Sequence, residues 1–390
     1  MGLPLQGLRV IDLTQDFAGP FCTMILSDLG AEVIKIEKPG TGDETRAWGP
    51  PFVDGISYYF QSLNRGKKSV VLDLKTREAQ RIIRKLVVDS DIFVESSRPG
   101  QMTKFNLDYP GLRRLNKALV YASISSFGQT GPYRDRLGYD IIAFAMSGIM
   151  ATTGEKGRPP IRMSVPVADI AAGHYASTAI LAALSRRLVT GKGDYIDLSL
   201  YDSIVSWLTY LASYYFATGR EPQRLGSAHP SIVPYQAFRC KDKDLVVAIG
   251  NDNQWTNFCH ATGQERLLSD RRFSTNPSRV KNRHFLIPVL ERMFRRRRAT
   301  EWQRILVQNK IPATPVFTIR DVVRDPQVRI RRMIIRSKGG IPRLGSPMRF
   351  DRTKPKRTES APQLGEHTTE ILAELGFSSP RFKKFRAKHA

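Results

Sequence analysis

The stretch Ser164–Leu184, SVPVADIAAGHYASTAILAAL, sets one carboxylate, Asp169, between a short apolar run (Val165–Val167) and a long run of small and apolar residues. An aspartate at the start of a helix has two chemical uses. Its oxygens accept hydrogen bonds from the orphan N–H groups of the first turn, and its charge sits well against the positive end of the helix dipole; a plain cap is the ordinary reading of such a residue. The same surroundings would keep the carboxylate ionised, the state a carboxylate nucleophile needs. The stretch alone leaves both uses open.

Other nucleophiles and ligand sets have little support. Cys22, Cys240 and Cys259 are far apart and odd in number, without a C-x-x-C pair; each reads as a buried small hydrophobe rather than a nucleophile. The six His residues form no H-E-x-x-H, so no zinc or other metal site is expected. The turn after the first strand pattern is Thr14–Pro20, TQDFAGP, not G-x-G-x-x-G, and Gly40-Thr41-Gly42 lacks a third glycine, which argues against a nicotinamide enzyme. There is no P-loop, and Ser147-Gly148 lacks the preceding glycine of a serine nucleophile elbow.

The elements that must position Asp169 follow from periodicity. Strand-like runs at Leu8–Leu13, Glu32–Glu37, Ser69–Leu74, Asp91–Glu95 and Leu119–Ile124 alternate with helix-like runs at Phe21–Leu29 and Thr76–Val88. Strands apolar on both faces, separated by helices, predict a parallel sheet with helices on each side, a Rossmann-like α/β architecture. A long helix runs from Asp169 to about Leu188, and Asp197–Thr218 is helix-rich. Gly226–Pro234 reads as loop, and Leu245–Ile249 as a strand opening a smaller α+β domain, with helices at Gln254–Thr262, His284–Arg298 and from Thr300, where Thr300 and Gln303 form a capping-box pattern. Met333–Phe350 mixes short apolar runs with Gly and Pro. A last helix lies at Thr368–Leu375, before a loose basic tail, Arg381–Ala390. The expected division is a large domain at 1–200 to which 326–390 returns, a linker helix at 201–224, and a small domain at 225–325.

The 390 residues are 41% hydrophobic, enough for about two domains. No uncharged apolar run reaches the roughly 18 residues of a membrane span, and the first strand pattern begins too early for a leader peptide. The expectation is a cytoplasmic protein without a membrane partner. Lys and Arg number 61 against 36 Asp and Glu, a formal net charge of +25. Such an excess attracts polyanions, whether nucleic acid or a phosphate-rich cofactor. The densest run, Arg295–Arg298, ends the helix whose apolar face is Leu286, Val289, Leu290, Met293 and Phe294, where cations suit the dipole and face water.

Motifs in order along almost the whole chain resemble the class III CoA-transferases: LQGLRVIDLT, AGPFCTMILSDLGAEVIKIEKPGTGDETRAWGPPF, NRGKKSVVLDLK, DIFVESSRPG, SSFGQTGPY, RLGYDIIAFAMSG, PVADIAAGHYA, GSAHPSIVPYQAF and LGEHTTEIL. Within that family, GDETRAWGPPF and HPSIVPYQAF are most similar to the succinyl-CoA:glutarate (dicarboxylate) branch. The resemblance implies an interlocked homodimer of two ring-like chains, coenzyme A as acyl-CoA substrate with small carboxylic acids as its partners, no metal, and an aspartate nucleophile at the position of Asp169. It implies CoA contacts at Ala18, Lys38, Leu72, Lys75, Lys104, Tyr139 and Asp140, with Ser97 and Arg136 beside them; the lysines can serve as point charges for phosphate. For a dicarboxylate substrate, the Arg46 guanidinium could make a bidentate pair, with Trp48 shaping the pocket and His229 a further candidate. Attack of Asp169 on a thioester would pass through mixed anhydrides and an aspartyl-CoA thioester, with backbone N–H groups at the helix start as oxyanion donors.

The chain departs from the family pattern at Gln15-Asp16-Phe17, where an acidic Asp16 beside an anionic cofactor is unexpected, and at Ser96-Ser97, where an Asn–aromatic pair is common. Two rivals remain. A 2-methylacyl-CoA racemase of the same superfamily uses a His–Asp base pair, but Tyr139 stands at the His position. A basic nucleic-acid-binding protein would fit the charge, but no helix-turn-helix, zinc-finger or RNP signature is present, so nucleic acid is an unlikely partner.

Overall fold

The computed structural model describes residues 2–53, 55–335, 342–351 and 360–377; the basic tail expected at Arg381–Ala390 lies outside them. The chain folds as two compact units, one of 1–149, 162–213 and 330–390, the other of 150–161 and 214–329. The segment 150–161, expected in the large domain, belongs to the smaller unit because its backbone carbonyls are used there. Gly226 N–H donates to Gly154 O at 2.9 Å and Arg224 Nη1 to Ala151 O at 2.9 Å.

The large unit is built on six parallel strands, β1 (Arg9–Leu13), β2 (Glu32–Glu37), β3 (Lys67–Val71), β4 (Ile92–Glu95), β5 (Val120–Ser125) and β6 (Tyr195–Ser199), in the order 3-2-1-4-5-6. That is the doubly wound order, with its switch point between β1 and β4. The principal crossover helices are α1 (Ala18–Asp28) and α2 (Arg77–Val88). α2 is capped by Thr76 and buries Ala79, Ile82, Ile83, Leu86 and Val87, the face expected from its spacing. These pack with Ile11, Leu13, Ile34, Ile36, Val70, Leu72 and Phe93 into one apolar cluster, which the C-terminal helix Thr368–Glu374 completes with Ile371 and Leu372.

The opposite face of β1–β3 corrects the expectation of strands apolar on both sides. Asp12, Lys35, Glu37, Lys67 and Ser69 alternate with the apolar residues and are all buried. Asp12 pairs with Lys67 at 3.0 Å, Lys35 with Asp43 at 2.8 Å, and Glu37 with Arg46 at 2.7 Å. The two adjacent lysines, Lys67 and Lys68, hide the start of β3 in the sequence, which is why the strand begins two residues before the expected Ser69.

The 24-residue helix α4 (Val167–Thr190) is long and apolar enough to cross a membrane by composition. Here it is a core helix, burying Ala168, Ala171, Ala172, Ala176 and Ile180. It crosses α1 closely: a Cβ on Gly173 would stand 2.8 Å from Ala18 O and from the Phe21 ring.

In the smaller unit an antiparallel sheet places Asp244–Ala248 between Tyr235–Arg239 and Ala313–Pro315. Helices Asp252–Thr262, Arg283–Phe294 and Ala299–Gln308 cover it through Trp255, Phe258, Leu290, Phe294 and Trp302. The last helix starts at Ala299, not at a Thr300 cap. The Glu301 carboxylate accepts Arg298 N–H at 3.0 Å, and Asp242 from the strand turn accepts Ala299 N–H at 2.9 Å. Arg295–Arg298 are exposed at the preceding helix end. Cys22, Cys240 and Cys259 are free and buried, and burial pushes the last two thiols up to about 11 and about 12.

Candidate active site

Asp169 occupies the third position of α4, whose N-cap residue, Pro166, has no side chain that can cap. The cap comes from elsewhere. Asp140 opens helix α3 (Asp140–Met146), and its Oδ1 accepts Ala168 N–H at 2.8 Å and Asp169 N–H at 3.4 Å. The plain-cap reading of Asp169 is thereby corrected, and so is the idea that the helix start supplies oxyanion donors: Ala168 and Asp169 give their N–H groups to Asp140, and Ile170 gives its own to Pro166 O at 3.0 Å.

The Asp169 carboxylate accepts no hydrogen bond among the described residues and is half-buried. Burial, then the nearby Asp140 and Asp16, push its carboxyl up to about 8, so the surroundings resist ionisation rather than favour it. Asp16 reaches the site from the loop after β1, which is pinned from below. Lys35 Nζ donates to Thr14 O at 2.7 Å, Asp12 accepts Thr14 N–H at 2.9 Å, and Asp43 accepts Asp16 N–H at 3.4 Å. Asp16 takes a left-handed conformation (φ 66°), and its Oδ1 is buried without a hydrogen-bond partner among the described residues. Burial, with Asp43 and Glu44, pushes its carboxyl up to about 6.

Tyr59, on the short helix Tyr58–Leu63, completes the group. Burial, then Asp169, Asp16 and Asp140, push its phenol up to about 12. Sequence reasoning missed it: YYFQSL carries no motif or spacing that singles Tyr59 out, and its one signal is its place in the chain after the Trp48 segment. The Trp48 ring lies 4.9 Å from Tyr59, and Phe17 lies 6.1 Å from it on another side.

At the switch point, Gln15 N–H donates to Ser96 Oγ at 3.0 Å, tying the loops after β1 and β4 together. Beside this tie opens a cleft of about 660 Å³, lined by Asp16, Ser97, Lys104, Arg136 and Tyr139, with Arg98 and Arg134 as cations that sequence reasoning did not single out. Glu95 underneath holds the loop by accepting Ser97 N–H at 2.6 Å. Arg136 lies over the rings of Tyr133 (5.4 Å) and Phe127 (5.8 Å).

Not every expected residue joins this cleft. Ala18 is buried at the start of α1, and Leu72 is a core residue whose N–H is given to Glu37 O. Lys38 is exposed and 3.8 Å from Glu44, and Lys75 is exposed beyond β3. Arg46 is a correction. Its Nε and Nη2 each meet a Glu37 oxygen at 2.7 Å, Nη1 and Nη2 reach Pro362 O at 3.2 Å, and its guanidinium lies 3.7 Å from the Phe60 ring centre. The bidentate fork expected for substrate is filled by the protein's own carboxylate. His229 belongs to the smaller unit, where its Nδ1 accepts Ser231 N–H at 3.1 Å. Among the described residues no group of three His, Cys, Asp or Glu could hold a metal ion.

Comparison with known proteins shows the family and the fold. The model of CoA-transferase family III matches residues 5–368. Succinyl-CoA:glutarate CoA-transferase of Mus musculus is 41% identical over 376 residues, 95% of this chain and 86% of its own length. Succinate–glutarate CoA-transferase of Agrobacterium fabrum is 40% identical, covering 95% and 96%. The crystal structure of a CAIB/BAIF family protein from Brucella suis superposes with a TM-score of 0.88 at 41% identity, covering 96% of this chain and 100% of that one. These relatives do not favour the racemase or nucleic-acid readings.

Proposed function

The chain belongs to CoA-transferase family III and is a CoA-transferase, and from that premise we propose that it moves CoA from succinyl-CoA to a dicarboxylate such as glutarate, with Asp169 as nucleophile. The observation that carries the residue assignment is the Asp169 carboxylate itself, held at a helix start by a borrowed cap, with no hydrogen bond of its own among the described residues and two further carboxyls acting on it. A structural aspartate is normally hydrogen-bonded. The names of the relatives support the donor and acceptor.

In the first step an Asp169 oxygen attacks the thioester carbonyl, the C–S bond breaks, and the electron pair leaves on CoA thiolate, giving a mixed anhydride. The thiolate then attacks the aspartyl carbonyl, and the donor acid leaves as carboxylate. The acceptor carboxylate attacks the aspartyl thioester, and CoA finally takes the acceptor acyl group from the second anhydride. Each step exchanges one activated acyl bond for another. Ser97, Lys104, Arg136 and Tyr139 bind CoA along the cleft, with Arg98 and Arg134 adding charge for its phosphates. Trp48, against Tyr59, forms an aromatic wall for the acyl group. Of the other contacts that the family resemblance implies, Lys38 and Lys75 are exposed lysines that can meet phosphate, whereas Ala18 and Leu72 are buried.

We propose the interlocked homodimer on separate grounds. Helix Thr209–Thr218 has no buried residue although it carries Tyr210, Tyr214, Tyr215 and Phe216, and Leu188 and Val189 are exposed at the end of α4. Apolar surface of this kind is the mark of an interaction face. Sedimentation should give twice the 44.0 kDa chain mass; a monomer at micromolar concentration counts against it.

The test of the reaction is mass spectrometry after mixing with succinyl-CoA and trapping with hydroxylamine. A modified Asp169 peptide, absent in Asp169→Ala, is expected, followed by CoA exchange onto glutarate. Exchange that survives in Asp169→Ala rules the assignment out.

A further inference from the structure

Asp140 carries an inference that rests on Asp169 being the nucleophile. The start of α4 lacks a cap of its own, and Asp140 supplies it across a sequence gap of 28 residues with hydrogen bonds of 2.8 and 3.4 Å. A serine, threonine or asparagine would satisfy the same N–H groups. An aspartate does more: it fixes a negative charge at the nucleophile's own peptide group. Asp16 brings a second carboxyl from the loop after β1, its buried oxygen unpaired among the described residues.

The charges around Asp169 come from every side. α3 brings Asp140, the β1–α1 loop Asp16, helix Tyr58–Leu63 the neutral phenol of Tyr59, and the segment before α4 brings Arg162, which acts on Asp140 and Tyr59. His174, one turn along α4, packs edge-on against Phe21 at 5.1 Å. Helix Leu200–Val205, which also packs on α4, carries Asp202 in its first turn. Lys35 and Lys38 act on Asp16. No cation pairs with Asp169 among the described residues.

We propose that Asp140 is a positioning residue that fixes the start of the nucleophile helix and, through its charge, drives Asp169 towards its neutral, acylated state. In the anhydride the Asp169 oxygen is bonded to the acyl carbon, and the electron pair of the broken C–S bond has left with CoA. In the aspartyl thioester the Asp169 carbonyl is bonded to sulfur, and the donor acid has carried the charge away. Residue 169 is uncharged in both, so the repulsion felt by its free carboxylate is absent. Like charges favour an acyl group on Asp169 for the same reason that they favour a proton there.

Three variants separate charge from capping. Asp140→Asn keeps an oxygen acceptor and removes the charge; Asp140→Ala removes both; Asp140→Ser repeats the neutral cap should the Asn variant fail to fold. The readouts are the pH profile of kcat/KM, the fraction of enzyme trapped by hydroxylamine at fixed succinyl-CoA and succinate, and Tm. For Asp140→Asn the acid limb should move to lower pH by about one unit or more, and the ratio of acylated to free enzyme should fall about tenfold, with Tm near wild type. Asp140→Ala should show the same shifts and a lower Tm. An unmoved limb and an unchanged acylated fraction in Asp140→Asn would overturn the proposal and leave Asp140 a cap. Wild-type enzyme that turns over without any Asp169 adduct would instead overturn the nucleophile assignment, and this proposal with it.

Discussion

Arg46 gives the sharpest division between what the sequence suggests and what the structure holds. Replacement by Met keeps an apolar stem against Phe60 and removes the guanidinium. Glu37, only 3% exposed, then loses both 2.7 Å bonds and the charge that balances it. Breaking a buried pair from one side costs about 3–5 kcal/mol. Glu37 keeps Ser69 Oγ–H at 2.6 Å, Asp43 N–H at 3.0 Å and the charge of Lys35, so the low end, about 3 kcal/mol, applies. For a domain of this size that lowers Tm by about 6–12 °C. Urea and thermal melts of Arg46→Met, Glu37→Gln and the double variant measure the coupling, which should be about 1.5 kcal/mol or more. The pH dependence has a definite sign. Arg46 helps hold the Glu37 carboxyl below its ordinary value against burial, so its stabilisation is present above the unfolded pKa and lost as pH falls through the folded one. In Arg46→Met the folded value rises towards the unfolded one, so the part of the acid loss that Glu37 contributes should shrink and end at higher pH. The KM for glutarate should change by less than about threefold once the protein is folded, since the fork never faced substrate. An unchanged Tm together with a tenfold or larger rise in KM confined to dicarboxylates would refute this reasoning and restore Arg46 to the acceptor site.

Other outcomes follow from single contacts. Asp169→Asn should abolish exchange and raise stability at pH 8–9 by about 1–3 kcal/mol, because a carboxyl with a raised pKa costs the fold stability increasingly as pH rises above its unfolded value; a lower Tm there would contradict the burial argument. Gly173→Ala should cost about 1–3 kcal/mol and reduce turnover, since the new methyl meets the Ala18 carbonyl at 2.8 Å and pushes α1 from the nucleophile helix; unaltered melting and turnover would show that the crossing can relax. Arg279→Ala should destabilise the smaller unit by about 3 kcal/mol, read by hydrogen exchange. Its buried guanidinium is bonded to Val233 O at 2.7 Å, Phe273 O at 3.0 Å and Asp252 at 2.7 Å.

The parts of the fold that were legible are those written in local periodicity. The face of α2 and the order of β strands and helices through Ile124 follow from apolar spacing, and the Cys residues read as core. What was not legible depends on partners far along the chain. Asp140 and Ala168 are 28 residues apart, so α4 looked as if it had to cap itself with Asp169. Arg46 and Glu37 look like two free charges until β2 brings them together. The burial of Lys35 and Lys67 was not legible, because a buried lysine is rare unless paired and their partners Asp43 and Asp12 lie elsewhere in the chain. Tyr59 carried no spacing signal, and only its place beside three carboxyls marks it. The cleft residues Ser97, Lys104, Arg136 and Tyr139 were found through resemblance, and the structure lines one cavity with all four.

The charged face of β1–β3 also acts as an alignment key for the sheet. In the native pairing Asp12 stands opposite Lys35, and Lys35 opposite Ser69. Sliding β2 by one residue would turn over every side chain it carries. Lys35 and Glu37 would then point into the cluster of Ile82, Ile83 and Leu86, while Ile34 and Ile36 faced Asp12 and Lys67. Purely apolar strands would tolerate such a slip at the cost of repacking; these would bury two ions without counterions and strand two more. The same residues that look wasteful inside a hydrophobic sheet therefore discriminate against its nearest misfolded neighbour, and with it against any arrangement that misplaces the loop bearing Asp16.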